Sequence, residues 1–198
     1  TSSMANSTPF VLFADGQADE HNRTWACTRG SALVRSPRRG WLLAFFSGMR
    51  SCADGSIGDA LLMRSSGDNG TTWSAVRTLH NFSGTSGYVA PTVDLTRGVV
   101  RLFFNVNFAE TWLRLSEDDG ITWSAAVNRT SELGPLALGP PGGVQLADGR
   151  LALSAHDGSS NFALLSDDGV TWRRGGSVNF SATGLASGGE AQLVDDPA

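Results

Sequence analysis

One eight-residue motif occurs three times in this chain of 198 residues. It first reads Ser-Gly-Asp-Asn-Gly-Thr-Thr-Trp at residues 66–73, returns fifty residues later at 116–123, and returns after a further forty-nine at 165–172. The third copy has Leu165 in place of the first serine, whereas the Asp, Gly, Thr and Trp are kept. Self-similarity at this period is typical of repeat architectures, in which each unit packs against its neighbours.

Four strand-like segments accompany each copy of the motif. Turn glycines at Gly40, Gly98 and Gly149 separate the first two segments of each unit. Glycine is abundant, with 24 residues, and good helix formers are scarce. The sequence therefore predicts an all-β fold, a β-propeller of about three four-stranded blades plus the start of a fourth. The predicted strands are 31–34, 41–46, 59–64 and 73–79, then 91–95, 99–104, 111–115 and 123–127, then 143–146, 150–154, 161–165 and 172–178.

The two ends of the chain suggest an incomplete ring. Three blades cannot close a propeller, and residues 189–195 repeat the start of the third unit before the sequence stops. Residues 10–13 are predicted to form a strand of the kind that closes a propeller by pairing with its last blade. We therefore expect an N-terminal extension over 1–9 and a propeller over 10–198 that lacks its C-terminal part, with a natural three-bladed form as the alternative.

The recurring motif itself is predicted to be structural. Its carboxylates can accept backbone N–H bonds in a tight turn, its glycines can adopt positive φ, and its tryptophans can pack between sheets. We expect neither catalysis nor calcium binding from these carboxylates. The predicted structural residues are Asp68, Gly70, Trp73, Asp118, Gly120, Trp123, Asp167, Gly169 and Trp172.

Strand alternation separates two rims of the predicted propeller. The motif turns share one end with the turns between first and second strands, which we name the lower rim. The loops between second and third strands share the other end, the upper rim, with the blade-to-blade connections. Charged and polar side chains from different blades converge there, as the hydrolysis of a sugar acid would need, although each alone is more often a solvated surface group. These candidates are Arg29, Arg50, Asp54, Asn105, Asn107, Glu110, His156, Asp157 and Glu190.

Composition argues against some partners and compartments. All fifteen basic residues are Arg and the net charge is -4, so the chain lacks the basic footprint of a nucleic-acid-binding protein. No apolar run is long enough to span a membrane. Six of the nine asparagines begin Asn-x-Ser/Thr sequons, which predicts a secreted or lumenal protein. Cys27 and Cys52 permit one internal disulfide, and two free thiols are the alternative.

Several segments resemble the sialidase (neuraminidase) superfamily with its aspartate-box repeats. Residues 28–34 are similar to the Arg-Ile-Pro-Ala-Leu segment that opens the family's propeller, and 42–50 to its Leu-Leu-Ala-Phe-x-x-Gly-Arg run. Residues 54–59 are similar to its Asp loop, 139–146 to its Gly-Pro-Gly-x-Gly-Ile-Gln-Leu strand, and 189–195 to its Glu-x-Gln-Val-Val-Glu segment. The resemblance covers most of 10–196 in the family's order and implies a six-bladed propeller.

The resemblance implies a role for each matched residue. Arg29 would belong to the arginine triad that grips the sialic-acid carboxylate, Asp54 would be the general acid/base, and Glu190 would polarise a nucleophilic tyrosine. Arg50 would add positive potential to the pocket. The implied protein is a retaining exo-α-sialidase that needs no cofactor and no metal and acts on sialylated glycoproteins, glycolipids or oligosaccharides.

Two departures from the family's pattern qualify this implication. Gly30-Ser31 replaces the family's Ile-Pro after the arginine. The other two triad arginines and the tyrosine would lie beyond Ala198, and Tyr88, which does not match the nucleophile's place, is expected to line a pocket or pack. The 198 residues alone are therefore expected to be inactive. The alternatives are a non-catalytic propeller that binds glycans or proteins, and another propeller glycosidase.

Overall fold

Three antiparallel sheets of consecutive strands form the fold. This computed structural model describes residues 11–53, 59–139, 141–179 and 191–193. Blade one contains β1 (Cys27–Arg35), β2 (Leu42–Met49), β3 (Ala60–Ser66) and β4 (Arg77–Asn81), and blade two contains β5 (Ser86–Asp94), β6 (Val99–Val106), β7 (Glu110–Ser116) and β8 (Val127–Asn128). After α1 (Thr130–Leu133) and β9 (Ala137–Leu138), blade three contains β10 (Val144–Gln145), β11 (Leu151–His156), β12 (Ser160–Ser166) and β13 (Arg173–Asn179).

The predicted all-β propeller architecture is confirmed in these three four-stranded blades. The main difference concerns the fourth strands of blades one and two, which begin four residues after the motif tryptophans Trp73 and Trp123. Both tryptophans belong to the turn instead, because each indole N–H donates to the carbonyl of the turn glycine three residues earlier, at 3.1 Å. A pattern of apolar residues marks the strand but not the turn that precedes it.

The blades bury their faces against one another. Successive residues of a strand point to opposite faces, so a central strand between two neighbours is apolar along its whole length. In β6, Leu102 and Phe104 pack towards blade one, whereas Phe103 packs towards blade three. In β2, Phe45 faces blade two and Phe46 faces the other side. This stacking explains why all of β6 is buried.

The inner strands of the blades approach one another closely around one axis. β5 contacts β1 on one side and β10 on the other, and the N–H of Gly143 donates to the carbonyl of Pro91 at 3.0 Å. A Cβ on Gly143 would lie only 2.4 Å from Thr92 Oγ1, so this approach requires glycine. The inner strand of blade three is also interrupted, since β9, which the sequence did not predict, and β10 both pair with β11.

The predicted closing strand over residues 10–13 is wrong for its described part. Residues 11–13 form no strand, and the segment lies on the face of blade one that is turned away from blade two. Leu12 and Phe13 pack there beside Trp25, and the Arg64 side chain donates to the Leu12 carbonyl at 2.6 Å. Burial of apolar side chains against a sheet face, without strand pairing, therefore holds this segment.

The helical content of the described residues is small. α1 has four residues, and no helix in that part of the chain is long enough to cross a membrane.

Candidate active site

The motif turns of blades one and two have the same hydrogen bonds. In blade one, the Asp68 carboxylate accepts the Thr72 N–H at 2.8 Å, the Thr72 hydroxyl at 2.6 Å and the Ser66 hydroxyl at 2.8 Å. The hydrogen bonds from Thr72, hydroxyl first, lower the pKa of Asp68 to about 2. In blade two, Asp118 has the equivalent partners Thr122 and Ser116.

The third turn corrects the predicted alignment, because it is one residue shorter. Asp168, not the predicted Asp167, accepts the backbone N–H groups of Val170 and Thr171, each at 2.7 Å. Ser166 takes the place of the serine that begins the motif in the other two copies, and its hydroxyl donates to Asp168 at 3.1 Å. Leu165 is therefore not the equivalent of that serine. Asp167 is exposed.

The second and third motif turns also contact the preceding blade. The Arg77 side chain of blade one donates to the Gly120 carbonyl at 3.1 Å, and the Arg101 side chain of blade two donates to the Gly169 carbonyl at 2.8 Å. Asp119 in the second turn accepts the backbone N–H of Arg38 at 3.0 Å. The polar groups of these two turns therefore link neighbouring blades at the lower rim.

The upper rim of blade one carries two of the predicted site residues. Arg29 is an exposed residue of β1 that pairs with Ser47 of β2, and Arg50 is exposed just beyond the end of β2. The backbone N–H of Arg50 donates to the buried carboxylate of Asp59 at 3.2 Å. The two arginines thus reach the same end of one antiparallel pair.

A disulfide joins the segments that bear these arginines. Cys27 and Cys52 are bonded, with their Cα atoms 5.6 Å apart, which confirms the predicted pairing over two free thiols. Arg29 lies two residues after Cys27, and Arg50 two residues before Cys52. The predicted acid/base Asp54 lies outside the described residues, as does Glu190, whose neighbour Ala191 accepts a hydrogen bond at its carbonyl from Ser154 of β11.

Bulges interrupt the inner strands of blades one and two at matching places. In β1, two residues lie between Arg29 and Ala32, whereas one residue lies between their partners in β2, and β5 has the same shift between Ser86 and Val89. A bulge re-aims side chains and is frequent beside binding sites. The bulge in β5 contains Tyr88, which packs edge-on against Phe108 with ring centroids 5.7 Å apart.

Tyr88 and Phe108 line an upper-rim cavity of about 480 Å³ between blades two and three. His156 and Asp157 form part of its wall. Both ring nitrogens of His156 are buried and lack a hydrogen-bond partner in the described part of the chain. The Arg174 side chain donates to the Asp157 carboxylate at 2.8 Å and, as the main cause, lowers the pKa of Asp157.

The remaining upper-rim candidates hold loops in place. The buried amide of Asn105 donates to the Leu136 carbonyl at 3.1 Å and accepts the Leu138 N–H at 2.8 Å, which fixes the connection to blade three. Asn107 accepts the Thr85 N–H at 3.0 Å. Glu110 accepts the Trp112 indole N–H at 2.9 Å. Our prediction omitted Phe108. The one sequence feature that marks it is an aromatic side chain in an otherwise polar loop.

No family model matches this chain. Among solved structures, the Hadza microbial sialidase Hz136 is 22% identical over 78% of this chain and 38% of its own, with a TM-score of 0.67. The K499G mutant of NanB sialidase from Streptococcus pneumoniae is 13% identical over 90% and 48%, with a TM-score of 0.71. Trypanosoma rangeli sialidase in complex with the inhibitor DANA is 15% identical over 82% and 33%, with a TM-score of 0.65.

The likeness to these sialidases concerns the fold. The chain has a sialidase-like β-propeller fold and spans between a third and a half of the length of the three proteins.

Proposed function

We propose that this chain supplies part of the active-site rim of an exo-α-sialidase, which hydrolyses terminal sialic acids with retention. The observation that carries the proposal is the placement of Arg29 and Arg50 at the upper rim of a sialidase-like fold. The Cys27–Cys52 disulfide joins the segments that bear them. Because an arginine fork binds a carboxylate through two parallel hydrogen bonds, this rim suits a sugar acid.

The proposed chemistry divides the reaction among residues of different blades. Arg29 binds the substrate carboxylate, and Arg50 raises the positive potential around it. Asp54 protonates the glycosidic oxygen as the aglycone leaves, and later deprotonates the attacking water. Glu190 removes a proton from a tyrosine nucleophile, which is not assigned to Tyr88. A tyrosine suits this substrate because the anomeric carbon bears a carboxylate, which would repel an anionic nucleophile such as Asp or Glu.

Tyr88 is proposed to form part of the pocket wall. Its ring packs against Phe108 at the mouth of the cavity between blades two and three, on the rim that also bears the arginines. Aromatic side chains offer an apolar face to the carbon skeleton of a sugar. The proposed substrates are sialylated glycoproteins, glycolipids and oligosaccharides.

A secreted or lumenal location is proposed for the protein. The disulfide supports it, because disulfides persist in oxidising compartments. The sequons support it as well, since Asn22, Asn69, Asn81 and Asn128 are all exposed.

The test of the proposed reaction is hydrolysis of a fluorogenic sialoside by the longest natural protein that contains this chain. Replacement of the general acid in Asp54→Ala is expected to reduce kcat at least ~100-fold. Asp15→Ala, which removes an exposed carboxylate of the N-terminal segment, is the matched control and should retain the full rate. Wild-type turnover by Asp54→Ala would refute the assignment.

A second candidate function is glycan binding without hydrolysis. It is favoured by the cavity itself, whose lining is largely apolar and whose carboxylate, Asp157, is already engaged by Arg174. Saturable binding of a sialoside, weakened by Arg29→Ala and combined with no turnover in the longest natural protein, would support this candidate over the enzyme.

A further inference from the structure

The fourth strand of each blade is the outer edge of its sheet, and a sequon asparagine is its last residue in all three blades. These residues are Asn81 in β4, Asn128 in β8 and Asn179 in β13. Asn81 pairs with Ala60 and Asn179 with Ser160, each the first residue of the third strand. The sequons therefore recur at the upper end of the outer edge.

The edge of blade one is covered by the chain itself. The backbone N–H of Glu20 donates to the Val76 carbonyl at 3.1 Å, and the Glu20 carboxylate accepts the N–H of Thr78 at 2.9 Å. The Arg23 side chain donates to the Thr78 hydroxyl at 2.8 Å and also reaches Asn81. The segment over residues 19–23 thus occupies two backbone groups of this edge, the Val76 carbonyl and the Thr78 N–H, and two of its side chains. We name it the edge cover.

The edges of blades two and three have no such cover within the described residues. No described strand pairs with the outer side of β8 or β13. Val127 and Val178, which precede the sequon asparagines, are 52% and 54% exposed. A bare edge strand that carries apolar side chains is a template for pairing between copies of a chain. The template is longer in β13, which has seven residues, than in β8, which has two.

We propose that Asn128 and Asn179 carry N-linked oligosaccharides that cover these two edges, as the edge cover does for blade one. The inference rests on the proposed secretory location and is independent of sialidase activity. In the modification, Nδ2 of the asparagine bonds to C1 of the sugar and releases one proton to the surrounding water. The bond from C1 to the diphosphate of a polyprenyl-diphosphate oligosaccharide donor breaks, and the diphosphate leaves with the electron pair.

The geometry at Asn128 is compatible with this linkage. Its side chain is exposed, and its Oδ1 accepts the N–H of Thr130 at 2.8 Å. Among the described residues, its Nδ2 has one long contact, of 3.5 Å, with Glu110. The linkage uses one of the two Nδ2 hydrogens, so the Oδ1 hydrogen bond can remain. The bulky, hydrated oligosaccharide would then stand beside Val127, where a second chain would otherwise pair.

The first test measures occupancy. The chain is secreted from cultured eukaryotic cells. An amidase then removes its oligosaccharides in ¹⁸O water, and the mass of each sequon peptide is recorded. We expect the ¹⁸O-aspartate mass shift at both Asn128 and Asn179. Secreted chain with unmodified asparagine at these two positions would overturn the proposal.

The second test compares open and covered edges. The double variant Asn128→Gln/Ser181→Ala removes both sequons, and Ser83→Ala removes that of Asn81, where the edge cover is already present. By light scattering at equal concentration, we expect the double variant to associate at least about threefold faster than wild type and Ser83→Ala to match wild type.

A trimming experiment protects this test against a folding defect in the double variant. Folded wild-type chain is treated with an endoglycosidase that leaves one sugar on each asparagine, and its association is followed in the same way. Faster association of the trimmed protein supports the edge-covering role. Equal association rates for trimmed and untrimmed protein, or an equal acceleration by Ser83→Ala, would contradict that role.

Discussion

On the lower rim the turns of blades one and two are copies of each other, whereas the described upper-rim loops differ from blade to blade. The hydroxyl of Thr72 meets Asp68 at 2.6 Å, and that of Thr122 meets Asp118 at the same distance. On the upper rim, blade one has a disulfide and blade two has the exposed ring of Phe108. The comparison teaches that the repeated part joins blades, while the part that varies is free to build a site.

The largest expected effect lies on the lower rim, at the buried pair of Arg101 and Asp94. Their side chains are 2.9 Å apart and only 5% and 0% exposed, and Arg101 also reaches the Gly169 carbonyl of blade three. Arg101→Met leaves the buried Asp94 carboxylate with Arg97, a partly exposed side chain 3.2 Å away, as its ion-pair partner among the described residues. The change should lower the free energy of unfolding in urea by about 3–4 kcal/mol.

The double variant Arg101→Met/Asp94→Asn is the control for this effect. It also removes the charge of the buried carboxylate that has lost its buried partner, so most of the lost stability should return. A single variant as stable as wild type would show that the lower rim does not depend on this link between blades.

The disulfide offers the corresponding test of the upper rim. Cys27→Ser/Cys52→Ser removes a cross-link between residues 25 apart in the chain and should cost about 3 kcal/mol by loop entropy. Hydrogen exchange should increase at the upper ends of β1 and β2 and stay unchanged in the motif turns. Equal loosening of both rims would contradict the view that the two rims are held independently.

A smaller effect tests the corrected third turn. Ser166 is buried and bonded to Asp168, so Ser166→Ala should reduce the free energy of unfolding by about 1 kcal/mol. Asp167→Ala should leave the urea midpoint unchanged, because among the described residues this exposed side chain has one ion pair, 3.8 Å long, with Arg173. A larger loss of stability in Asp167→Ala than in Ser166→Ala would support the predicted alignment, with Asp167 as the turn carboxylate.

The smallest predicted effect is a loss of stability at low pH. The hydrogen bonds from Thr72 lower the pKa of Asp68, and the N–H groups of Thr171 and Val170 lower that of Asp168, each from 3.8 to about 2. A carboxylate with a lowered folded-state pKa stabilises the protein fully above its unfolded value and loses this contribution as the pH falls through about 2.

The contribution of these two carboxylates to the melting temperature should therefore stay constant from pH 7 to 5. The melting temperature should decrease below pH 4 as they become protonated. Asp68→Asn/Asp168→Asn is expected to melt lower than wild type at pH 7 and to approach wild type near pH 2. A difference between the two proteins that stays constant down to pH 2 would contradict the role of the ionised carboxylates.

Much of the fold was predictable because each blade repeats a local pattern. The four strands per unit follow from apolar runs and turn glycines, and the turn hydrogen bonds at Asp68 and Asp118 join residues close in sequence. The prediction failed for Asp167 because a shortened turn keeps the same residue types in a different spacing. It failed for residues 11–13 because an apolar run alone does not distinguish a paired strand from a segment packed on a sheet face.

The candidate site was predictable only in part. The sequence placed Arg29 and Arg50 on the upper rim, where they lie, and proposed Asn105, Asn107 and Glu110 beside them. The structure gives those three polar side chains loop partners, and such partners depend on distant backbone groups that no local pattern reveals. The roles of Asp54 and Glu190 remain proposals.

By itself the sequence determined the repeat, the blade count of the described chain and the end of the sheets at which charged residues gather, because strand alternation and turn chemistry are local. Only the tertiary structure decided which residues face one another across blades. It joined Cys27 to Cys52, set Tyr88 against Phe108, and covered the edge of blade one, whereas no described segment covers the edges of blades two and three. These contacts arise from the stacking of sheets, which brings together residues that the chain order keeps apart.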